Sequence, residues 1–158
     1  MITIDEYVSS DMQELQNLIA ELHDAMMVFE PEIMMPGDVA RKEYIPYLIE
    51  QTKEKNGKIC FAKQKGKAIG LMAVRTEKDS DEAVQYAWVS DLVVISKERS
   101  KGIGAKLLAY ADVYAQSNGL SYLKIGVLAV NKGARKLYFK TGFRNYADIL
   151  IKKLEKGS

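Results

Sequence analysis

Asp91-Leu92-Val93-Val94-Ile95-Ser96-Lys97-Glu98-Arg99-Ser100-Lys101-Gly102-Ile103-Gly104-Ala105 is the stretch whose reading decides the fold. The β-branched run from Ala87 to Ile95, which contains Trp88, predicts a long strand. It delivers the chain to a turn holding Gly102 and Gly104, and a helical period starts at once with Ile103, Leu107, Leu108, Ala111 and Ala115 on one face. Glycines let a backbone come close to a ligand, and a helix N-terminus offers free N–H groups at its positive dipole end. Arg99, Lys101 and Lys106 add cationic charge at the same point, so the turn suits a pyrophosphate. Two familiar phosphate motifs are excluded by the spacing. A dinucleotide fingerprint needs a third glycine where Leu107 stands, and a P-loop needs a Gly-Lys-Ser/Thr string that the chain lacks.

Outward from this turn, the periods alternate. Ile2, Ile4 and Tyr7-Val8 predict a first strand, and Asp11 with Glu14 suggests a capping box ahead of a helix running to about Asp24. The stretch from Met26 to Asp38 has no steady period and reads as an apolar loop. A second helix begins near Asp38, is interrupted at Pro46, and stops at Asn56-Gly57. Ile59–Ala62 and Ala68–Val74 form a hairpin about Lys65-Gly66, and Glu77–Glu82 reads as a solvated connection. Asn118-Gly119 stops the glycine-led helix. Tyr122–Val130 predicts another strand, Asn131 caps a short helix bearing Ala134, Leu137 and Tyr138, and Phe143–Leu154 predicts one or two closing strands. The hairpin demands antiparallel neighbours and the central βαβα stretch parallel ones. The expected class is therefore α/β (α+β): a mixed, mostly antiparallel sheet with a splayed parallel pair and helices on both faces.

The remaining spacing, Arg-x-x-Gly-x-Gly over Arg99, Gly102 and Gly104, resembles the GNAT superfamily of N-acetyltransferases. The resemblance continues through Asn131 and Ala134-Arg135-Lys136-Leu137-Tyr138-Phe139-Lys140-Thr141-Gly142-Phe143, which is similar to the family's second signature. It implies one N-acetyltransferase domain over residues 1–158, with acetyl-coenzyme A as cosubstrate and no metal. It further implies that backbone groups of Leu92, Val93 and Val94 pair with the pantetheine arm and that Arg99 and Ser100 through Ala105 (Ser100, Lys101, Gly102, Ile103, Gly104, Ala105) surround the pyrophosphate. Asn131 and Ala134 would line the cofactor arm. Tyr138 would touch the cofactor and donate a proton to the departing sulfur, because a phenol is protonated at neutral pH.

The base is left open. Many family members carry an acid where this chain has Ser90. Asp91 is adjacent, but alternation aims it at the other sheet face unless a bulge intervenes. A water relay to Asp91, or to an acid of the N-terminal part, is the alternative. The implied reaction moves an acetyl group to a primary amine of a small molecule or peptide by direct attack. A non-catalytic acyl-CoA sensor on the same scaffold is the competing expectation. Glu30, Glu32 and Asp38, beside Phe29 and four methionines, read first as a loop closing over the core with a few solvated acids, and second as a rim for a cationic amine.

Composition narrows the classes. The chain has 158 residues, and 23 Lys+Arg against 21 Asp+Glu leave a charge of +2, too balanced for a dedicated nucleic-acid binder. One cysteine and one histidine build neither an intrachain disulfide nor the usual zinc cage. No apolar run approaches a membrane span and the N-terminus is not a signal peptide, so a cytoplasmic setting without membrane or nucleic-acid partners is expected. Exposed Met and Tyr residues permit a homodimer.

Overall fold

Five strands pair in strict sequence order. The computed structural model describes residues 1–156, in which β1 (Ile2–Glu6), β2 (Lys58–Gln64), β3 (Lys67–Glu77), β4 (Tyr86–Val94) and β5 (Leu123–Ile125) form one sheet in the order β1-β2-β3-β4-β5. The first four strands are antiparallel to their neighbours, and β4 and β5 are parallel. Helices α1 (Met12–Phe29) and α2 (Gly37–Glu54) cover one face, while α3 (Ile103–Ser117) and α4 (Lys132–Lys140) cover the other. The expected architecture is what the chain adopts.

Period-two alternation along the strands feeds two separate cores. Phe61, Leu71, Ala73 and Val93 point into the layer with Leu15, Leu18, Ile19, Ile45 and Leu48 of α1 and α2. Cys60, Met72, Val74, Ala87 and Val89 point into the layer with Ile103, Leu107, Leu108 and Ala111 of α3. A strand central to such a sheet is buried on both faces, which is why β3 reads as a nearly continuous apolar run.

Several boundaries differ from the sequence expectation. The first helix extends past Asp24 to Phe29, so the loop before α2 spans only residues 30–36. Asp11 does not cap α1. Its carboxylate accepts the Val8 N–H at 2.9 Å and closes a 3-10 turn over Ser9–Asp11 instead. Pro46 lies inside α2 without ending it, because it sits on the exposed face, where water can serve the carbonyl that loses its donor. Of the stretch Tyr122–Val130 only Leu123–Ile125 is strand, and Phe143–Leu154 contains no strand at all.

The α1–α2 turn is closed by a short contact. The Gly37 N–H donates to Asp24 Oδ1 at 2.7 Å, and a Cβ on Gly37 would lie 2.5 Å from the Ala20 carbonyl oxygen. Alanine in an open helix stabilises by about 0.5–1 kcal/mol relative to glycine. Here rigid backbone fills the space, and the overpacking cost of about 1–3 kcal/mol wins. Gly37→Ala is therefore expected to lower the urea unfolding midpoint. A raised midpoint would show that α1 and α2 do not approach this closely.

Candidate active site

Strand β4 changes face midway. On the β3 side, Ala73 pairs with Asp91 and Val74 with Val89, so Ser90 is an extra residue on β4, a β-bulge. Val89 points toward α3, and without the bulge Asp91 would follow it. With the bulge, Asp91 points toward α1 and α2, where it is 4% exposed. Tyr44 of α2 donates its hydroxyl to both carboxylate oxygens at 3.0 and 2.9 Å, and the Ser90 hydroxyl donates to Oδ2 at 2.7 Å. Burial pushes the Asp91 carboxyl above the usual carboxylate range, opposed by the two hydroxyl donors and the charge of buried Arg75. His23 of α1 packs its ring 4.9 Å from that of Tyr44, and burial holds its pKa below the ordinary histidine value.

The same bulge marks the end of pairing with β5. The parallel register covers Ala87–Val89 against Leu123–Ile125, and β4 then continues alone to Val94. Its second edge is left open over residues 90–94. Ile95 donates its N–H to Ile69 on β3 at 2.9 Å, so alternation turns the backbone groups of Val94 and Leu92 toward the open edge. Val93 instead faces β3 with its backbone and buries its side chain beneath α1 and α2. Of the three residues expected to pair with an extended ligand, Leu92 turns its backbone groups to the open edge, Val94 does so with its carbonyl already accepting from Arg99 Nε, and Val93 lies between them.

At the end of this edge stands the glycine turn. Ser100 and Gly102 take positive φ values of 64° and 82°, and α3 begins directly after Gly102. The first intrahelical bond runs from the Lys106 N–H to the Gly102 carbonyl, leaving the N–H groups of Ile103, Gly104 and Ala105 unused. Nothing lies within 4 Å of a Cβ built on Gly102, so the space beside these amides is open and leaves room for an anion. Gly104 has a different constraint: a Cβ there would meet Leu137 Cδ2 of α4 at 2.8 Å. The basic residues are partly committed elsewhere. Arg99 donates Nε to the Val94 carbonyl at 3.0 Å, and Lys101 pairs with Glu98 at 2.9 Å. Arg99 thereby ties the turn to the open strand edge.

Helix α4 packs against the start of α3 through Leu137. Asn131 Oδ1 accepts the Ala134 N–H at 3.2 Å and so caps the helix, and Ala134 packs on the α3-side core. Tyr138 is 9% exposed with its ring 5.7 Å from that of Phe143. Burial alone pushes its pKa up to about 12. It is held as a phenol. Cys60 lies in the same core with its thiol pushed up to about 12 by burial, which leaves no thiolate near neutral pH.

Nothing in the sequence singles out Tyr44, which sits on a helix with almost no apolar bias. It becomes visible only through the bulge that turns Asp91 toward it. The expected acidic loop is also reduced, since Met26, Met27 and Phe29 belong to α1 and only Glu30 and Glu32 remain in the connection, with Asp38 in the first turn of α2.

Comparison with known proteins agrees with this geometry. The profile of the acetyltransferase (GNAT) family matches residues 19–143. YycN, an uncharacterized N-acetyltransferase of Bacillus subtilis (strain 168), is 34% identical over 86 residues, which are 54% of this chain and 54% of YycN. The chain thus spans about half the length of that curated relative. A mutant BH1408 protein of Bacillus halodurans superposes with a TM-score of 0.84 at 16% identity, over 96% of this chain and 99% of that one. The aminoglycoside acetyltransferase AAC(6')-Iy, in complex with a CoA-containing bisubstrate analogue, superposes at 0.74 with 13% identity, over 98% and 99% of the two chains. At such identities the structures speak for the fold alone. The profile covers most of the chain with both the glycine turn and the α4 segment inside it, and the chain therefore belongs to the GNAT acetyltransferase family.

Proposed function

We propose that the chain is one N-acetyltransferase domain that moves an acetyl group from acetyl-coenzyme A to a primary amine by direct attack within a ternary complex. One observation carries this: the open edge of β4 runs straight into the unused amides at the start of α3. A molecule with an amide-bearing arm and a pyrophosphate needs those two features in that order. AAC(6')-Iy, which shares the fold, is known with a CoA-containing analogue, and this supports the choice of ligand.

Acetyl-coenzyme A supplies the activated thioester. Leu92 and Val94 offer backbone groups to its arm, with Asn131 and Ala134 opposite. The turn Arg99, Ser100, Lys101, Gly102, Ile103, Gly104 and Ala105 holds the pyrophosphate, chiefly through its amides because Lys101 is paired with Glu98. Tyr138 keeps its proton at neutral pH and delivers it from Oη to the departing sulfur. The amine loses its proton to Ser90 Oγ, which passes its own to Asp91 Oδ2 along the 2.7 Å bond. Asp91 is too deeply buried to touch the amine itself. Cys60 cannot carry the acetyl group as a thiolate, which favours direct attack over a covalent enzyme intermediate. The acceptor is a small amine or a peptide terminus, approaching past the α1–α2 turn, where Glu30 and Glu32 favour a cation. We assign the protein to a cytoplasmic setting; no helix among the described residues is long and apolar enough to cross a membrane.

A thiol-release assay with acetyl-coenzyme A against a panel of amines and short peptides tests the reading. Release with one amine class supports it, and binding without release across the panel would favour an acyl-CoA sensor. Tyr138→Phe should lower kcat at least tenfold with acetyl-coenzyme A affinity unchanged; wild-type kcat removes Tyr138 from the mechanism.

Gly102→Val should raise the acetyl-coenzyme A Kd at least tenfold, since its side chain enters the open space beside the amides. The backbone strain of about 1–2 kcal/mol leaves the protein folded. An unchanged Kd in the folded variant would rule the turn out as the anion site. Asp91→Asn should cost about 100-fold in kcat at pH 7. The deficit should shrink as pH rises toward the amine pKa near ~10, where the acceptor is already neutral. A deficit that stays constant with pH would make Asp91 purely structural.

A further inference from the structure

The two hydroxyls that reach the Asp91 carboxylate are not equivalent. Ser90 gives one bond, to Oδ2 at 2.7 Å. Tyr44 stands between the two oxygens, 3.0 Å from Oδ1 and 2.9 Å from Oδ2, and among the described residues Oδ1 has no other donor. Arg75 lends its charge from β3 without bonding the carboxylate, since its Nε donates to Glu77 at 3.0 Å. Among the described residues, Tyr44 is therefore the group from outside β4 that fixes how Asp91 is turned.

Tyr44 is itself held in place. The His23 ring of α1 lies 4.9 Å away, tilted by 51°, and the Tyr47 ring lies 6.0 Å away, tilted by 42°. The Tyr44 hydroxyl keeps its position only while α1 and α2 stay together. Burial and the neighbouring carboxylate push its phenol far above the ordinary tyrosine value, so it keeps its proton and acts as a donor.

We propose that Tyr44 is a positioning residue for acetyl transfer, one that holds Asp91 ready for Ser90 and keeps its hold after the carboxylate takes up a proton. This inference rests on the relay given above. There the amine gives its proton to Ser90 Oγ, and Ser90 gives its own to Asp91 Oδ2. A donor bound to Oδ2 alone would be displaced by the arriving proton. Tyr44 spans both oxygens, so it stays bonded through Oδ1 and its own O–H bond never breaks. The charged and titratable groups facing the pair are Arg75 of β3 with its partner Glu77, His23 of α1 and Tyr47 of α2. Asp24, beside His23, is engaged by the Gly37 N–H. Removing the Tyr44 hydroxyl takes a donor from the ionised carboxylate, which then binds its proton more tightly. The base is lost on the acid side, and activity returns as pH rises.

Tyr44→Phe keeps the ring and its packing. With acetyl-coenzyme A and amine saturating, the acid limb of its kcat profile should move up by about one pH unit or more, with kcat at pH 7 down about tenfold. The KM for acetyl-coenzyme A should not change, and far-ultraviolet circular dichroism should match the unaltered protein. In an Asp91→Asn background the same change should cost less than about twofold, because its effect passes through the carboxylate. An equal loss at every pH overturns the proposal, and so does full additivity with Asp91→Asn. Carbon-13 titration of the Asp91 carboxyl, read without turnover, should show the same upward move in Tyr44→Phe, and an unmoved titration overturns the hold of Tyr44 on Asp91. A moved titration in a protein that releases no thiol with any amine would overturn the acetyl-transfer reading and leave that hold standing.

Discussion

One extra residue in β4 governs the rest of the molecule. Up to Val89 the strand has β3 on one side and β5 on the other, and past the bulge at Ser90 it keeps only β3. A bulge bends its strand and increases its local twist, so a neighbour in register before it diverges after it. The divergence exposes backbone donors and acceptors in the middle of a sheet, where they would normally be satisfied. Water satisfies them in the free protein, and an extended ligand with its own amides could take the place of the missing strand. The bulge thereby marks where the edge of β4 opens and also decides which face Asp91 sees.

The second consequence is electrostatic. A carboxylate in a low-dielectric layer is tolerated only with donors around it, and Asp91 has the hydroxyls of Tyr44 and Ser90 together with the charge of Arg75. Tyr44 comes from α2, Ser90 from the bulge and Arg75 from β3, so three elements must be in place before the group is stable. Its raised pKa brings its proton affinity nearer to that of a working base than an exposed aspartate would have. Tyr138, on the opposite face of the sheet, is shifted by burial alone and stays protonated. Burial thus moves both groups upward, which loads the phenol and makes the carboxylate more willing to accept.

The parts legible in the sequence are those set by local chemistry. The strand–glycine–helix turn, the hairpin over Ile59–Val74 and the Asn131 cap follow from residues within a few positions of one another, and the structure contains all three. The bulge at Ser90 was legible only as a condition, because one inserted residue leaves no mark on a run of apolar side chains. Tyr44 was illegible for a related reason: its partner lies 47 positions away and across a layer boundary. The reach of α1 to Phe29 was hidden by methionines, which suit a helix and an apolar loop equally well. Phe143–Leu154, expected to close the chain with one or two strands, forms none. Whether such a segment becomes a strand depends on an available edge, and period alone does not encode that.

The α3 end of the slot shows how two apparently redundant glycines divide their duties. Gly102 requires the left-handed backbone and keeps the space above the amides clear, whereas Gly104 lets α3 and Leu137 of α4 approach. Moving α4 away from α3 would displace Tyr138 and Asn131 together, since both are carried on or just before that helix. In the proposed reaction the spacing of one residue between the glycines would couple anion binding to the placement of the proton donor: the first leaves room for the phosphate tail, and the second sets how closely the helix bearing the phenol packs on α3. Under that proposal the turn and the α4 segment, separated by a helix and a strand, would act as one site rather than two.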